Sequence, residues 1–448
     1  MRKFIAGSAL LLGALTASAQ SFTEFPSEAE MQQTGGVQVL GMSSNGRYVI
    51  GSTYTAGGFV YDVEENKLHL TGGASGISDD GTAVAGLAKR NIHTGKTESL
   101  RRPSGVNSFL MTTGISADGN IVTGTGGADW TQLRPYYWEG TEAHLLPYPS
   151  TDEVGTFKVN GCRANGVSDD GRVIWGNFVA NPNTNNLIIW ERQADGTYEY
   201  VDCWTDLYEP QHGWVYDYDR GEYDFVIGPN PYCRLEPYAI SGDGELILMR
   251  TQENTDEESP ANKIGIFHVT DRRVELAPWS PDDPVGKARN FDSRGIANDG
   301  TVVGVATEVT LSDAVPFIMY PGQEPVYLND AFPQFDRLYY YEDNSYKGLP
   351  YLAIAISSDG RFVGGYSTDI IWYEREVSVT NEFGFWGYVI DRYAEEVNDP
   401  ENSAVEAIDT DDAGQPVYYT IDGIRIDNPS HGLYIKRTPD GRTTKIIL

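Results

Sequence analysis

Cysteine is scarce in this chain. Cys162, Cys203 and Cys233 are the only three in 448 residues, no two of them form a CxxC pair, and only six scattered histidines accompany them. A structural zinc site needs closely spaced Cys and His ligands, so none is expected. Positive charge is also short, with 33 Lys and Arg against 64 Asp and Glu and a formal net charge of −31. Nucleic acid and anionic membrane surfaces are held through clustered Lys and Arg, and both are set aside as partners. Beyond the first residues no stretch approaches the ~18 uninterrupted apolar residues of a membrane helix, so no transmembrane segment is expected. The chain has no GxSxG elbow, HExxH pair or phosphate-binding loop. The spaced oxygen ligands of a calcium loop are missing too. No catalytic residue, cofactor or metal is therefore assigned.

What is present begins with an address. Arg2 and Lys3 precede an apolar run from Phe4 to Leu15, and Ala17, Ser18 and Ala19 stand before Gln20. This is the pattern of a secretory signal peptide over residues 1–19. The protein is expected to be exported to the extracellular space or outer cell surface, with the periplasm as the alternative. No cysteine follows the cleavage site, so no lipid anchor is expected there. In an oxidising compartment Cys203 and Cys233, which flank one insertion, are the expected disulfide, leaving Cys162 as a buried free thiol. An acidic surface of this kind keeps a secreted protein soluble. Forty-nine glycines and 28 tyrosines, with few helix-favouring runs, point to an all-β chain rich in turns.

One short pattern recurs seven times, beginning with "GMSSNGRYVIG" from Gly41 and "GISDDGTAVAG" from Gly76 and ending with "AISSDGRFVGG" from Ala355. Its second residue serves as an anchor: Met42, Ile77, Ile115, Val167, Ile240, Ile296 and Ile356, at intervals of 35 to 73 residues. Behind each anchor stand Asp80–Gly81, Asp118–Gly119, Asp170–Gly171, Asp243–Gly244, Asp299–Gly300 and Asp359–Gly360, with Asn45–Gly46 in the first copy. Asp or Asn before Gly between apolar runs signals a hairpin, because these residues accept positive φ. Asn45 can turn the chain but brings no charge, which favours a turn role over metal binding.

An aromatic-rich strand, a polar turn and a second strand follow each copy, as in "PYYWEGTEAHLL". Trp138, Trp190 and Trp386 are expected to anchor the core between packed sheets. Each unit thus makes a four-stranded antiparallel sheet, which cannot bury both faces alone. Seven such units arranged radially give a seven-bladed β-propeller over residues 20–393. Spacing this irregular disfavours the alternative, a linear β-solenoid. A strand from between Phe22 and Val39 is expected to complete the last blade and close the ring. An acidic linker over 394–415 and a small β-module over 416–448, read as three strands, follow.

Over about residues 40–392 the units resemble the HAF-type extracellular repeat, and they are similar to the "SPDG" blades of TolB/WD40-like propellers through the repeat glycines. No proline precedes the aspartate here, unlike the TolB-like pattern. The resemblance implies binding and scaffolding more than catalysis. The tail resembles the C-terminal module of secreted Bacteroidota proteins through Tyr419, Ile421, Gly423, Pro429, Gly432, Tyr434, Ile435, Gly441 and Lys445. It implies a sorting signal read by the type IX secretion machinery.

The most suggestive loop is "CWTDLYEPQHGWVYDYDRGEYDFVIGPNPYC", from Cys203 to Cys233. It gathers Trp204, Tyr208, His212, Trp214, Tyr216, Asp217 and Tyr218, with Asp206, Asp219 and Tyr223. Exposed aromatics beside carboxylates suit sugars, which stack on rings and hydrogen-bond to oxygens. A second aromatic loop, "RLYYYEDNSYKGLPY" from Arg337, invites the same reading. The expected function is a non-catalytic secreted propeller that binds glycan or a surface protein through its loop face. The alternative is a glycan-active hydrolase or lyase with carboxylates on the central face.

Overall fold

The seven repeat glycines, from Gly46 to Gly360, all hold φ between 71° and 87° in the computed structural model, a region that a side chain resists. Each amide donates back three residues, as from Gly46 to Ser43 O and from Gly171 to Ser168 O, both at 3.0 Å. The preceding Asp or Asn does not take the positive φ expected of it. Its side chain does the work instead. Asp170 Oδ1 accepts from the Ser168 hydroxyl at 2.7 Å and the Arg172 amide at 2.8 Å, and Asn45 Oδ1 accepts likewise from Ser43 and Arg47. The turn is built from a Ser hydroxyl, an acceptor oxygen and a left-handed glycine, except in the sixth copy, where Ala297 replaces the Ser and Asp299 Oδ1 accepts from the Thr301 amide alone at 2.8 Å.

The structure describes residues 20–393 apart from 107–108, 128–132, 150–158, 181–183, 210–211, 218, 259, 279–289, 308–314, 334, 336–348 and 370–383, and four short strands between 417 and 447. One unit runs through Glu395 and a second begins at Glu396. Among the described residues no helix is long and apolar enough to cross a membrane.

Among the described residues the first unit carries seven four-stranded antiparallel sheets, one per repeat. Their first strands are Val37–Met42, Gly76–Ile77, Phe109–Ile115, Val159–Val167, Tyr232–Ile240, Asn290–Ile296 and Leu349–Ile356. Every one ends on its anchor residue, and the anchors together line a cavity of about 170 Å³ at the axis. The chain is a seven-bladed β-propeller, and its blades are numbered here in chain order.

Blade 7 takes its fourth strand from the other end of the chain. Ser21–Phe25 pairs antiparallel with Gly384–Asp391, Ser21 opposite Asp391 and Phe25 opposite Gly387. Phe25 then stacks on Tyr61 of blade 1, ring centroids 4.1 Å apart, and meets Phe59 edge-on at 5.8 Å. The closing strand is thereby bonded to the last blade and packed on the first. Ser27 and Glu30 cap the helix Glu28–Thr34 that follows, the Ser27 amide and hydroxyl both reaching Glu30 Oε2 in a capping box.

The small residue before each anchor has a steric cause. A Cβ at Gly76 would lie 3.1 Å from Ile115 N, one at Gly114 3.1 Å from Gly166 Cα, and one at Gly295 3.1 Å from Ile356 N. Neighbouring first strands nearly touch there. Farther out, the residue opposite the seventh position after the anchor fills the gap between blades: Tyr61, Trp138, Trp190 and Phe267 are fully buried at equivalent registers. Trp138 and Trp190 also donate to Arg101 O (2.7 Å) and Pro147 O (2.5 Å) on the incoming links. Trp386 does not belong with them. It pairs with Ser367, four residues from the equivalent place held by Ile390, and is half-buried.

Strand direction sorts the connections. Links from first to second and from third to fourth strand leave one face and are six residues or shorter, as at 63–66 and 320–325. Links from second to third strand, and from blade to blade, leave the opposite face, and all the long ones are there, including 202–231 and 328–348. These are called the turn face and the loop face.

The expected disulfide does not form. Cys203 Sγ is directed to Leu187 O (3.8 Å) within blade 4, and Cys233 Sγ to Gln252 O and Glu253 O (3.7 and 3.6 Å) within blade 5. All three cysteines are free and buried, and burial pushes their thiols up from the usual range. The second unit holds four strands rather than three, Val417–Tyr419, Arg425–Ile426, Leu433–Arg437 and Thr443–Ile447, because the two-residue Arg425–Ile426 adds an edge.

Truncating the ring that joins the ends tests this closure. Phe25→Ala should lower the free energy of unfolding by about 3–5 kcal/mol, measured by denaturant titration of the mature protein.

Candidate binding surface

The long insertion folds as a two-stranded hairpin, Gly213–Asp217 with Glu222–Val226, on the loop face between blades 4 and 5. Alternation along a strand places residues two apart on one side. Trp214 stands opposite Phe225, and Tyr216 opposite Tyr223. One side is therefore aromatic, and the other carries Asp217, Glu222 and Asp224. Trp214 is 57% exposed, Tyr216 39% and Tyr223 64%. The rings meet edge to face, Trp214 on Phe225 at 5.4 Å and Tyr216 on Tyr223 at 5.0 Å.

One end of this side is seated on blade 5. His212 meets Asn254 Oδ1 at 2.8 Å and Glu257 O at 3.0 Å through its two ring nitrogens, and Trp214 Nε1 donates to Glu258 Oε1 at 2.7 Å. The Tyr216 and Tyr223 end projects away from these anchors.

The residues expected to share this site separate into groups. Trp204 and Tyr208 are buried in the core of blade 4, with Trp204 edge-on to Phe178 at 5.1 Å. Their rings hold the base of the insertion and present no surface to a ligand. Asp217 lies across the hairpin from the aromatic side, where Arg220 Nε donates to it at 2.6 Å and holds its carboxyl below the usual range. Arg220 also pairs with Asp224. Tyr218 and residues 337–348 of the second aromatic loop lie outside the described residues. Phe225 was not singled out from the sequence, although the alternation of "GWVYD" against "EYDFV" carries it.

The turn face carries a second set of polar groups. Two residues past the anchors stand Ser44, Asp79, Ala117, Asp169, Gly242, Asn298 and Ser358. Backbone amides link them blade to blade: Asp79 to Ala117 O, Ala117 to Asp169 O, Asp169 to Gly242 O, Asn298 to Ser358 O and Ser358 to Ser44 O, all at 2.8–2.9 Å. At the two remaining junctions a side chain accepts, Asp79 Oδ1 from the Asn45 amide (3.0 Å) and Asn298 Oδ1 from the Asp243 amide (2.9 Å). The ring of hydrogen bonds is complete. Across its centre Asp169 Oδ2 accepts from Ser44 Oγ at 2.5 Å and Ser358 Oγ at 2.6 Å. Gly242 leaves room for this bridge, since a Cβ there would strike Asp169 and Ser358.

Asp62, Glu65 and His93 also bring ligand atoms within 4.8 Å of one another. A guanidinium already supplies the positive charge: Arg47 NH2 is 3.0 Å from Asp62, Arg47 NH1 is 2.6 Å from Glu64, and the Tyr48 hydroxyl takes His93 Nε2 at 2.8 Å.

No protein-family model and no curated protein sequence matches the chain. Solved structures do. An oligogalacturonate lyase from Vibrio parahaemolyticus is 9% identical with a TM-score of 0.47, over 84% of this chain and 98% of its own. A prolyl endopeptidase is 11% identical with a TM-score of 0.44, over 93% of this chain and 57% of its own. TolB from Acinetobacter baumannii is 13% identical with a TM-score of 0.30, over 64% of this chain and 52% of its own. The chain spans little more than half the length of the last two. Likeness at such identities concerns the fold alone, and the propeller rests on its blades and their closure.

Burial raises the Asp79 carboxyl above its usual range, and the charge of Asp169 adds to this against the pull of the Asn45 and Ser44 amides. A carboxyl raised on folding contributes stability that is present below its unfolded pKa of about 3.9 and lost as pH climbs through the folded value. Asn298 fills the same role without charge. Asp79→Asn should therefore raise the urea midpoint at pH 7.5, with the gain shrinking as pH falls toward about 4. A variant that is less stable at pH 7.5 would show that the ring needs the charge.

Proposed function

We propose that the protein is an exported, non-catalytic propeller that binds glycan through the aromatic side of its loop-face hairpin. The observation that carries this reading is the exposure of Trp214, Tyr216 and Tyr223 together on one side of a short sheet. Such rings expose large apolar area that water solvates poorly, and the C–H faces of sugar rings cover it without demanding charge. His212 and Trp214 fix the hairpin to blade 5, so little order has to be gained on binding. The signal peptide over 1–19 and the sorting-like module over 416–448 belong to the same reading, delivering the propeller to the cell exterior through the secretion machinery.

A binding role also accords with how the axial carboxylates are used. Asp169 is held by two serine hydroxyls and Asp79 by backbone amides, which leaves those oxygens engaged in the scaffold. A general acid and base pair for glycan cleavage would have to release them first.

The full mature chain, offered a panel of host and dietary glycans, should retain at least one of them with no new product mass. The triple variant Trp214→Ala/Tyr216→Ala/Tyr223→Ala should weaken that retention by about a hundredfold, on the order of 3 kcal/mol, with an unchanged melting curve. Retention equal to wild type would clear the hairpin of the role, and new product masses would make the protein an enzyme. Failure to retain any glycan would move the aromatic side to a protein partner.

A further inference from the structure

Blade 2 is cut short. Its strands Gly76–Ile77, Thr82–Ala85, Ala88–Asn91 and Thr97–Ser99 stand between Val37–Met42 of blade 1 and Phe109–Ile115 of blade 3. Because all three first strands end on the anchor ring, the missing length lies wholly on the loop face. Four or five residues of strand correspond to about 13–17 Å of sheet. In this blade the anchor Ile77 pairs with Ala83, one residue earlier than in blades 1, 3, 4, 5 and 7, and Arg90 stands opposite Ala83. Lys89, opposite Val84, turns toward blade 3, its ammonium reaching Gly119 O (3.3 Å) and Glu98 (3.4 Å).

The result is a notch of about 680 Å³, inside the roughly 300–1,000 Å³ range of small-molecule sites. Its floor is Gly72, Gly73, Ala74, Ala85, Gly86 and Ala88, and Leu110 and Met111 of blade 3 form a wall. Met111 is 45% exposed, as expected of a side chain that a full-length blade would have covered. Four hydroxyls line it too, those of Thr71, Ser75, Thr97 and Thr112, and the protein uses three of them. Thr71 donates to Gly73 O at 3.0 Å, and Ser75 and Thr112 bond to each other at 2.7 Å. What the notch offers is apolar surface and one charge. That charge is Arg90, whose guanidinium has no ion pair or hydrogen bond among the described residues, in a protein with almost twice as many acids as bases.

We propose that the notch beside blade 2 binds a small amphiphile with an apolar body and a single anionic group, the body lying on the glycine and alanine floor and the anion meeting Arg90. A neutral apolar molecule would fill the floor and leave the guanidinium unused. A polar one would find three of the four hydroxyls already taken.

Two dyes of similar shape test this on the full mature chain. 8-Anilinonaphthalene-1-sulfonate carries the anion, and N-phenyl-1-naphthylamine lacks it. The sulfonate dye should bind saturably at one site, and more tightly than the neutral dye. Arg90→Gln should weaken the sulfonate dye about tenfold, as for loss of one charge-assisted contact, and leave the neutral dye unchanged. Gly72→Leu should abolish both, because a Cβ at Gly72 meets nothing within 4 Å and the longer side chain extends into the notch without strain. The triple hairpin variant should bind both dyes like wild type. Normal dye binding by Gly72→Leu, or loss of it in the hairpin variant, would overturn the site. Equal affinity of Arg90→Gln and wild type for the sulfonate dye would overturn the anionic class.

Discussion

The fold depends on how closely seven strands approach one axis. At Gly76, Gly114 and Gly295 a single methyl group would already crowd the backbone of the next blade. At that distance amide and carbonyl groups two residues beyond the anchors fall within bonding reach, and they close a ring from blade to blade. Buried backbone groups left unpaired would cost about 1–3 kcal/mol each, so the ring stabilises closure and also fixes blade register. Asp169, reaching across to Ser44 and Ser358, ties blade 4 to blades 1 and 7. Covalent continuity is missing inside blade 7, where hydrogen bonds alone join Ser21–Phe25 to Gly384–Asp391. Phe25 on that closing strand packs on Tyr61 and Phe59 of blade 1.

A tight axis has a consequence for evolution of the loops. Links from first to second strand sit next to the ring and are five residues or shorter, whereas loop-face links lie at the far end of every strand, where an extra residue disturbs nothing at the centre. Added loop length is thermodynamically mild, growing only with the logarithm of residue number. Insertions and omissions therefore accumulate on one face. The hairpin between blades 4 and 5 is an insertion and the notch at blade 2 an omission, and both are found there.

The architecture was legible because turn chemistry is local. The turn residues of each repeat, Ser (Ala297 in blade 6), Asp (Asn45 in blade 1) and Gly, make their bonds within six residues, so the signal survives in linear sequence, and so does the need for a small residue before each anchor. Blade 2 shows in the short intervals around Ile77. What could not be read was anything decided between blades. Cys203 and Cys233 flank one insertion in sequence, yet Cys203, just past the end of Tyr198–Val201, and Cys233, on Tyr232–Ile240, direct their thiols to different sheets. Trp386 resembles Trp138 by composition, but its register is set by pairing with Ser367, a partner that no local pattern names. The same limit divided the candidate site, since burial of Trp204 and exposure of Trp214, ten positions apart, depend on where blade 4 ends and the hairpin begins.

The aspartates show the limit most clearly. Asp79 and Asp80 are adjacent and identical in sequence, and a reading by repeat position gives weight to Asp80, which recurs. Asp80 closes its own turn with Ser78 and Thr82, as Asn45 does in blade 1. Asp79 stands at a position that varies among Ser, Asp, Ala, Gly and Asn, and so looks unimportant. Yet that position is where the blades meet. Variation there is possible because the backbone supplies most of the ring, and a side chain joins in at two junctions and across the centre at Asp169. In a closed repeat protein the recurring residues build the unit, and the ones that differ from copy to copy record how the copies fit together.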